Sequence, residues 1–178
     1  MTPLVVAATA AEAAYVPEGL ATVITGIGKV EAAAVTALAI GEHRPDVVLN
    51  VGTAGALRTG MSGIFLPSLA INHDLDAPSI RALGAEAIDE VAIADGDGSV
   101  LATGDRFVSD AALRDVLAQR AGLVDMEGFA VARVAAAMGV PARLVKVVSD
   151  TADDSALDWP DVVDGCARQL GEWLAQSL

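Results

Sequence analysis

Residues 21–55 read ATVITGIGKVEAAAVTALAIGEHRPDVVLNVGTAG, and three patterns follow one another within them. Ala21–Ile24 is a short run with β-branched residues that predicts a strand, and Thr25-Gly26-Ile27-Gly28 ends it as a tight turn. From Lys29 to about Gly41 the spacing is helical, with Val30, Ala33, Ala34, Ala37 and Leu38 expected on the inward face. Pro45-Asp46 restarts the chain into Val47–Val51, an almost wholly apolar run of the kind found in strands covered on both faces. Gly52-Thr53-Ala54-Gly55 is expected to turn at its carboxyl end. Strand, helix and buried strand in that order form the βαβ unit of a parallel sheet.

The same rhythm extends both ways. Leu4–Ala8 precedes the unit as a further strand, and strand-like stretches follow near Ser62–Ile71 and Val100–Thr103. A helix is predicted over Asp110–Gln119, capped by Ser109 or Asp110. Met126–Met138 repeats Ala130, Val134 and Ala137 at helical spacing, and Gly139 stops it before Pro141. Arg143–Val148 reads as the last central strand. Val162, Val163, Cys166, Leu170, Trp173 and Leu174 mark the inward stripe of a closing helix. No repeat, low-complexity linker or charge block divides the chain, so residues 1–178 read as one domain. The fold class expected is α/β: three layers, with a mostly parallel mixed sheet flanked by helices.

Composition narrows the partners. Hydrophobic residues make up 53 % of the chain but aromatic ones only 3 %, so the core is built from Ala, Val, Leu and Ile. A net charge of −13 repels phosphate backbones and anionic headgroups, which argues against nucleic-acid and membrane-surface partners. An uncharged nucleoside is not excluded. The single cysteine, Cys166, allows no internal disulfide. No apolar run reaches the roughly 20 residues of a membrane span, and the N-terminus lacks the basic flank of a signal peptide. These features read as cytoplasmic.

Ligands of open α/β sheets sit at the carboxyl ends of the strands. Asp150 lies there, after Arg143–Val148, where partial desolvation helps a carboxyl hold a proton. By spacing alone, the commoner reading of Asp150-Thr151-Ala152-Asp153-Asp154 is a turn rich in capping aspartates. Glu127 opens the helix after Val124-Asp125-Met126, and a helix N-terminus favours the ionised carboxylate; an ordinary first-turn acid is the alternative. Glu12, in an alanine-rich stretch, reads by itself as a helix-surface glutamate. Gly26-Ile27-Gly28 is a poor dinucleotide fingerprint, because Glu31 replaces the third glycine. His43 and His73 have no zinc-ligand spacing. His73-Asp74-Leu75-Asp76 and Asp95-Gly96-Asp97-Gly98 read as loops, and Cys166 as a packed helix residue.

Taken in order, five motifs are more specific than any one of them. Thr25-Gly26-Ile27-Gly28-Lys29-Val30, Asn50-Val51-Gly52-Thr53-Ala54-Gly55, Thr103-Gly104-Asp105-Arg106-Phe107, Asp125-Met126-Glu127 and Val148-Ser149-Asp150-Thr151-Ala152-Asp153 together resemble the purine nucleoside phosphorylase and nucleosidase superfamily. Within it, the pattern is most similar to methylthioadenosine/S-adenosylhomocysteine nucleosidases. The resemblance implies cleavage of the N-glycosidic bond of a purine nucleoside, with no metal or organic cofactor, by a homodimer.

The resemblance implies Asp150 as the acid at purine N7, positioned by Ser149. Glu12 is implied as the base acting on water, helped by the Thr53 hydroxyl. Glu127 would hold the ribose hydroxyls with Met126 packed against the sugar. Phe107 would stack on the purine, and the Val108 backbone would meet its edge. Two departures bear on the reaction. Leu49-Asn50-Val51-Gly52 lacks the phosphate-binding arginine of the phosphorylases, which favours water over phosphate; Arg44 and Arg58 lie outside that stretch. The chain is also short between Asp76 and Val100, which bears on the 5′ side of the substrate. Phosphorolysis, a non-catalytic nucleoside-binding protein and, far behind, a dinucleotide enzyme are the rival readings.

Overall fold

A computed structural model describes residues 2–178. In chain order its elements are β1 (Pro3–Ala7), β2 (Ala21–Ile24), α1 (Lys29–His43), β3 (Val47–Ala56), β4 (Ile64–Phe65), β5 (Leu69–Asn72), α2 (Ala77–Ala82), β6 (Glu90–Ala92), β7 (Val100–Thr103), α3 (Ala111–Leu117), β8 (Leu123–Asp125), α4 (Gly128–Ala137) and β9 (Ala142–Asp150). A 3-10 turn over Asp154–Asp158 leads into α5 (Trp159–Ser177). The strands form one sheet with the path β2-β1-β3-β8-β7-β5-β6, while β9 pairs with both β3 and β4. Pairing is parallel at β1/β2, β1/β3, β3/β9, β5/β7 and β7/β8, and antiparallel at β3/β8, β4/β9 and β5/β6.

Alternation along the central strands makes the three layers. Val5, Ala7, Val47, Leu49, Val51, Val145 and Val147 pack against Cys166, Leu170 and Leu174 of α5. Their neighbours Leu4, Val6 and Val48 point the other way, onto Ala32, Ala39 and Ile40 of α1 and Ala130, Val131 and Ala135 of α4. Successive strand residues face opposite sides, so a strand covered twice has to be apolar almost throughout. The three-layer, mostly parallel mixed sheet read from the sequence is the architecture observed.

Three local expectations are corrected. Gly52-Thr53-Ala54-Gly55 is not a turn: β3 runs on to Ala56, paired with β9, and its register shifts between Ala54 and Gly55. The glycines are there because carboxylates crowd the strand. A Cβ on Gly52 would lie 3.1 Å from Glu12 Oε1, and one on Gly55 2.9 Å from Asp150 Oδ1.

The inward face of α1 is Ala32, Thr36, Ala39 and Ile40, while Val30 and Leu38 are each 74 % exposed. With apolar residues around most of this helix, spacing could not choose between faces, and close approach to the sheet and α4 selected the smaller side chains. In α4, Ala137 is exposed and Phe129, Val131 and Ala132 are buried, because this helix meets two hydrophobic clusters rather than one.

The region between Asp76 and Val100 forms α2 and the edge strand β6. Asp76 caps α2 by accepting from Ser79 N–H, and Pro78 occupies its first turn. Neither element was read from the sequence, nor was β8. No helix among the described residues is long and apolar enough to cross a membrane.

Candidate active site

The carboxyl ends of β1, β3, β7, β8 and β9 surround a cavity of about 310 Å³. Glu12, Thr53, Phe107, Val108, Met126, Glu127, Ser149 and Asp150 all line it. Residues from five separate segments thus converge on one space, where the sheet opens to solvent.

Glu12 sits on a turn after β1, not on a helix, and is buried. The turn is closed reciprocally. Glu12 N–H donates to Thr9 Oγ1 at 3.2 Å, while Thr9 N–H and Thr9 Oγ1–H donate to Glu12 Oε2 at 3.1 and 2.9 Å. This is the capping-box arrangement, Thr-x-x-Glu, here turning a carboxylate inward. Thr53 N–H and its hydroxyl donate to Oε1 at 2.8 and 2.9 Å. Four donors therefore fix the orientation of Glu12.

Asp125, at the end of β8, accepts from Thr103 Oγ1–H at 2.6 Å and from Gly128 N–H at 2.8 Å. Phe129 N–H donates to Thr103 Oγ1 at 2.9 Å. Asp125 and Thr103 therefore satisfy the first free N–H groups of α4, and Glu127 is left to reach elsewhere. Its Oε1 accepts from Gly28 N–H at 2.8 Å. Gly28 adopts φ 98°, and a Cβ there would also approach Asp105 Oδ1 to 3.3 Å, so both conformation and space call for glycine.

Lys146 of β9 was not singled out from the sequence. It is fully buried, and its Nζ pairs with Asp125 Oδ2 at 2.9 Å. The available signal was a charge inside an otherwise apolar strand, Leu144-Val145-Lys146-Val147-Val148, which a buried counter-charge has to explain. Burial alone would lower the ammonium pKa, but Asp125, Glu127 and Glu12 hold it above the ordinary value.

Glu127 corrects another expectation. Its pKa is pushed up to about 7, by burial first and by the Asp125 carboxylate second, with Lys146 and the Gly28 N–H pulling the other way. The helix N-terminus does not dominate, because Asp125 is already the charge that caps it.

Asp150 is the last residue of β9 rather than one following the strand. Ser149 Oγ–H donates to its Oδ2 at 2.7 Å and Ala152 N–H to its Oδ1 at 2.8 Å. One side chain thus closes the turn and lines the cavity. Ala152 takes a left-handed conformation, φ 51°, to make that bond. The cap of the 3-10 turn is Asp153, which accepts from Ser155 N–H. Trp159, also unread in the sequence, lines the cavity and donates from Nε1 to Thr53 Oγ1 at 2.9 Å.

Residues outside the cavity steady its rim. Asp105 accepts from Lys29 N–H, Asp74 accepts from Asp105 N–H, and Lys29 Nζ bonds Asn72 and Asp74. Lys29 and the Asp105 N–H hold the Asp74 carboxyl below its ordinary range against the effect of partial burial. His73-Asp74 is thus tied to α1 rather than free in solvent. Asp97 similarly closes its loop, accepting from Leu66 and Ser99 N–H. Cys166 is buried against the sheet.

A doubly covered α/β sheet with acids converging at its strand ends defines a class of small-molecule site, and comparison with known proteins gives it a family. Residues 18–177 match the family described as Phosphorylase superfamily, and the chain belongs to it. It is 30 % identical to a 5′-methylthioadenosine/S-adenosylhomocysteine nucleosidase of Geobacillus kaustophilus, over 86 % of this chain and 77 % of that one. It superposes with TM-score 0.87 on a Helicobacter pylori enzyme of the same name bound to butyl-thio-DADMe-Immucillin-A, at 20 % identity, covering 99 % of this chain and 97 % of the other. The native futalosine hydrolase of Helicobacter pylori gives TM-score 0.85, at 20 % identity, with 97 % and 95 % covered.

Proposed function

We propose that this chain hydrolyses the N-glycosidic bond of a purine nucleoside of the methylthioadenosine/S-adenosylhomocysteine kind, releasing the free base and the ribose moiety. The observation that carries this reading is that Glu12 and Asp150, each held by its own donors, line the same cavity together with Glu127. The bond breaks through an oxocarbenium-like sugar, so the reaction needs a proton for the departing base and a base for the nucleophile. In this reading Asp150 delivers or shares a proton at N7, and Ser149 keeps the carboxyl turned toward it. Phe107, half exposed at the rim, stacks on the purine, while Val108 presents its backbone to the edge. Glu127 binds the ribose hydroxyls beside Met126, and Glu12 with Thr53 takes the proton of the attacking water.

Water is favoured over phosphate by the charges present. The cavity and its floor carry four carboxylates, Glu12, Asp125, Glu127 and Asp150, against one exposed cation in the lining, Arg106, and the buried cation, Lys146, is already paired with Asp125. Arg58 donates to Ala118 O, and Arg44 occupies the left-handed cap of α1. A phosphate dianion at the Glu12 end would meet carboxylates first. Homodimerisation is part of the proposal: Ile27, Val30 and Leu38 leave an apolar surface on α1 and the turn before it, open for a second copy.

The test is a panel of purine nucleosides incubated without phosphate while free base is followed. Release of base and reducing sugar is the expected result. Cleavage that requires phosphate and yields ribose 1-phosphate would replace hydrolysis by phosphorolysis, and binding without turnover would leave a nucleoside-binding protein.

A further inference from the structure

Trp159 stands in the first turn of α5, outside all five motifs, yet its indole reaches the side chain beside Glu12. Nε1–H donates to Thr53 Oγ1 at 2.9 Å, and Thr53 Oγ1 lies 2.9 Å from Glu12 Oε1. An indole nitrogen can only donate. The Thr53 oxygen must therefore be the acceptor from Trp159, which leaves its own proton for Glu12. The order is settled by chemistry: Trp159 N–H to Thr53, then Thr53 O–H to Glu12.

Of the four donors around Glu12, two are backbone N–H groups and cannot turn away. The Thr9 hydroxyl is held in turn by Glu12 N–H. Only the Thr53 hydroxyl has its direction set by a residue distant in sequence, 106 positions on. That residue belongs to the segment which walls the cavity, where Ala156, Leu157, Trp159 and Pro160 all line it.

We propose that Trp159 is a positioning residue for the base: by donating to Thr53 it commits the Thr53 hydroxyl to Glu12, and so couples the seating of the 154–160 wall to the orientation of the Glu12 carboxylate. This rests on the hydrolytic reading above. Trp159 acts through Thr53 and takes no proton itself.

Trp159→Phe keeps an aromatic ring in the wall and removes the donor. It is expected to lower kcat about three- to tenfold, the effect of one neutral hydrogen bond, with KM within about twofold. Thr53→Val lowers kcat at least as far, and Thr53→Ser retains the parental response to Trp159→Phe. The double variant Trp159→Phe/Thr53→Val is no slower than Thr53→Val alone, because the indole acts through that hydroxyl.

A wall residue with only a packing role would raise KM instead, and its effect would multiply with that of Thr53→Val. Independently of turnover, Trp159 and Trp173 give the two indole N–H resonances of the protein, and Thr53→Val should shift that of Trp159 upfield. The proposal is overturned by parental kcat in Trp159→Phe, by multiplicative effects, or by an indole resonance indifferent to Thr53→Val. If the parent cleaves no nucleoside, the hydrolytic reading falls; a resonance that still moves then leaves Trp159 as the residue orienting Thr53, and one that does not removes that as well.

Discussion

Asp150 carries two duties, closing a turn through Ala152 N–H and facing the cavity beside Ser149. Asp150→Asn keeps an acceptor for that N–H while removing the proton an acid must supply. The expected outcome is a fall in kcat of at least about a hundredfold, with thermal stability changed by less than about 1 kcal/mol. Base release and a melting curve on the same preparation check it.

Glu127 makes a different prediction, because its folded-state pKa of about 7 lies above the ordinary 4.5. Between those values the folded chain binds more protons at this site than the unfolded chain does. Stability from Glu127 is therefore fully present below about pH 4.5 and declines as pH rises through about 7. Glu127→Gln keeps an oxygen for Gly28 N–H and removes the titration. Unfolding free energies from urea titrations should fall between pH 5 and pH 8 in the parent by an amount on the order of 1–3 kcal/mol more than in the variant. Equal falls would show that Glu127 does not titrate there.

At the level of elements, the end of β3 shows how a strand can be shaped by the side chains packed over it. Gly55 has Asp150 Oδ1, Ala152 Cβ and Val124 Cγ1 where its own Cβ would be, at 2.9, 3.1 and 3.2 Å. Gly55→Ala should cost about 1–3 kcal/mol by overpacking and displace Asp150, so activity falls with stability. A Cβ added to Gly41 in α1 would meet nothing within 4 Å, and Gly41→Ala should be neutral or stabilise by about 0.5–1 kcal/mol. Chemical denaturation of the pair distinguishes crowding from ordinary glycine entropy.

The α4 terminus follows the same logic: Asp125 and Thr103 take its free N–H groups, which releases Glu127 toward Gly28. A sequence window sees Asp125-Met126-Glu127-Gly128 and cannot tell which acid caps α4 and which reaches Gly28. The Thr103 hydroxyl, brought in by parallel pairing of β7 with β8, decides that.

For the whole molecule, the exposed side of α1 bears on assembly. Val30 and Leu38 are 74 % exposed and Ile27 59 %, in a chain whose net charge of −13 otherwise keeps copies apart. Light scattering should give twice the chain mass for the parent and the monomer mass for Val30→Glu/Leu38→Glu, with the circular dichroism of the fold retained. A monomeric parent would remove the homodimer.

Much of the architecture was legible because burial on two faces demands unbroken apolar runs: Val47–Val51 and Arg143–Val148 announced central strands, and strand-helix alternation announced parallel pairing. The resemblance carried by the ordered motifs also marked eight residues that line one cavity. Faces of alanine-rich helices were not legible, since α1 offers apolar side chains on most sides and only contact with α4 and the sheet selects one. Nor were Lys146 and Trp159, whose roles exist only in relation to distant partners: a buried ammonium is intelligible beside Asp125, and an indole N–H beside Thr53. Local pattern determines which segments are buried and what groups they carry. Which groups meet, and therefore which protons are held or shifted, is decided by tertiary packing, because hydrogen bonds and charges act over a few ångströms of space and are indifferent to separation along the chain.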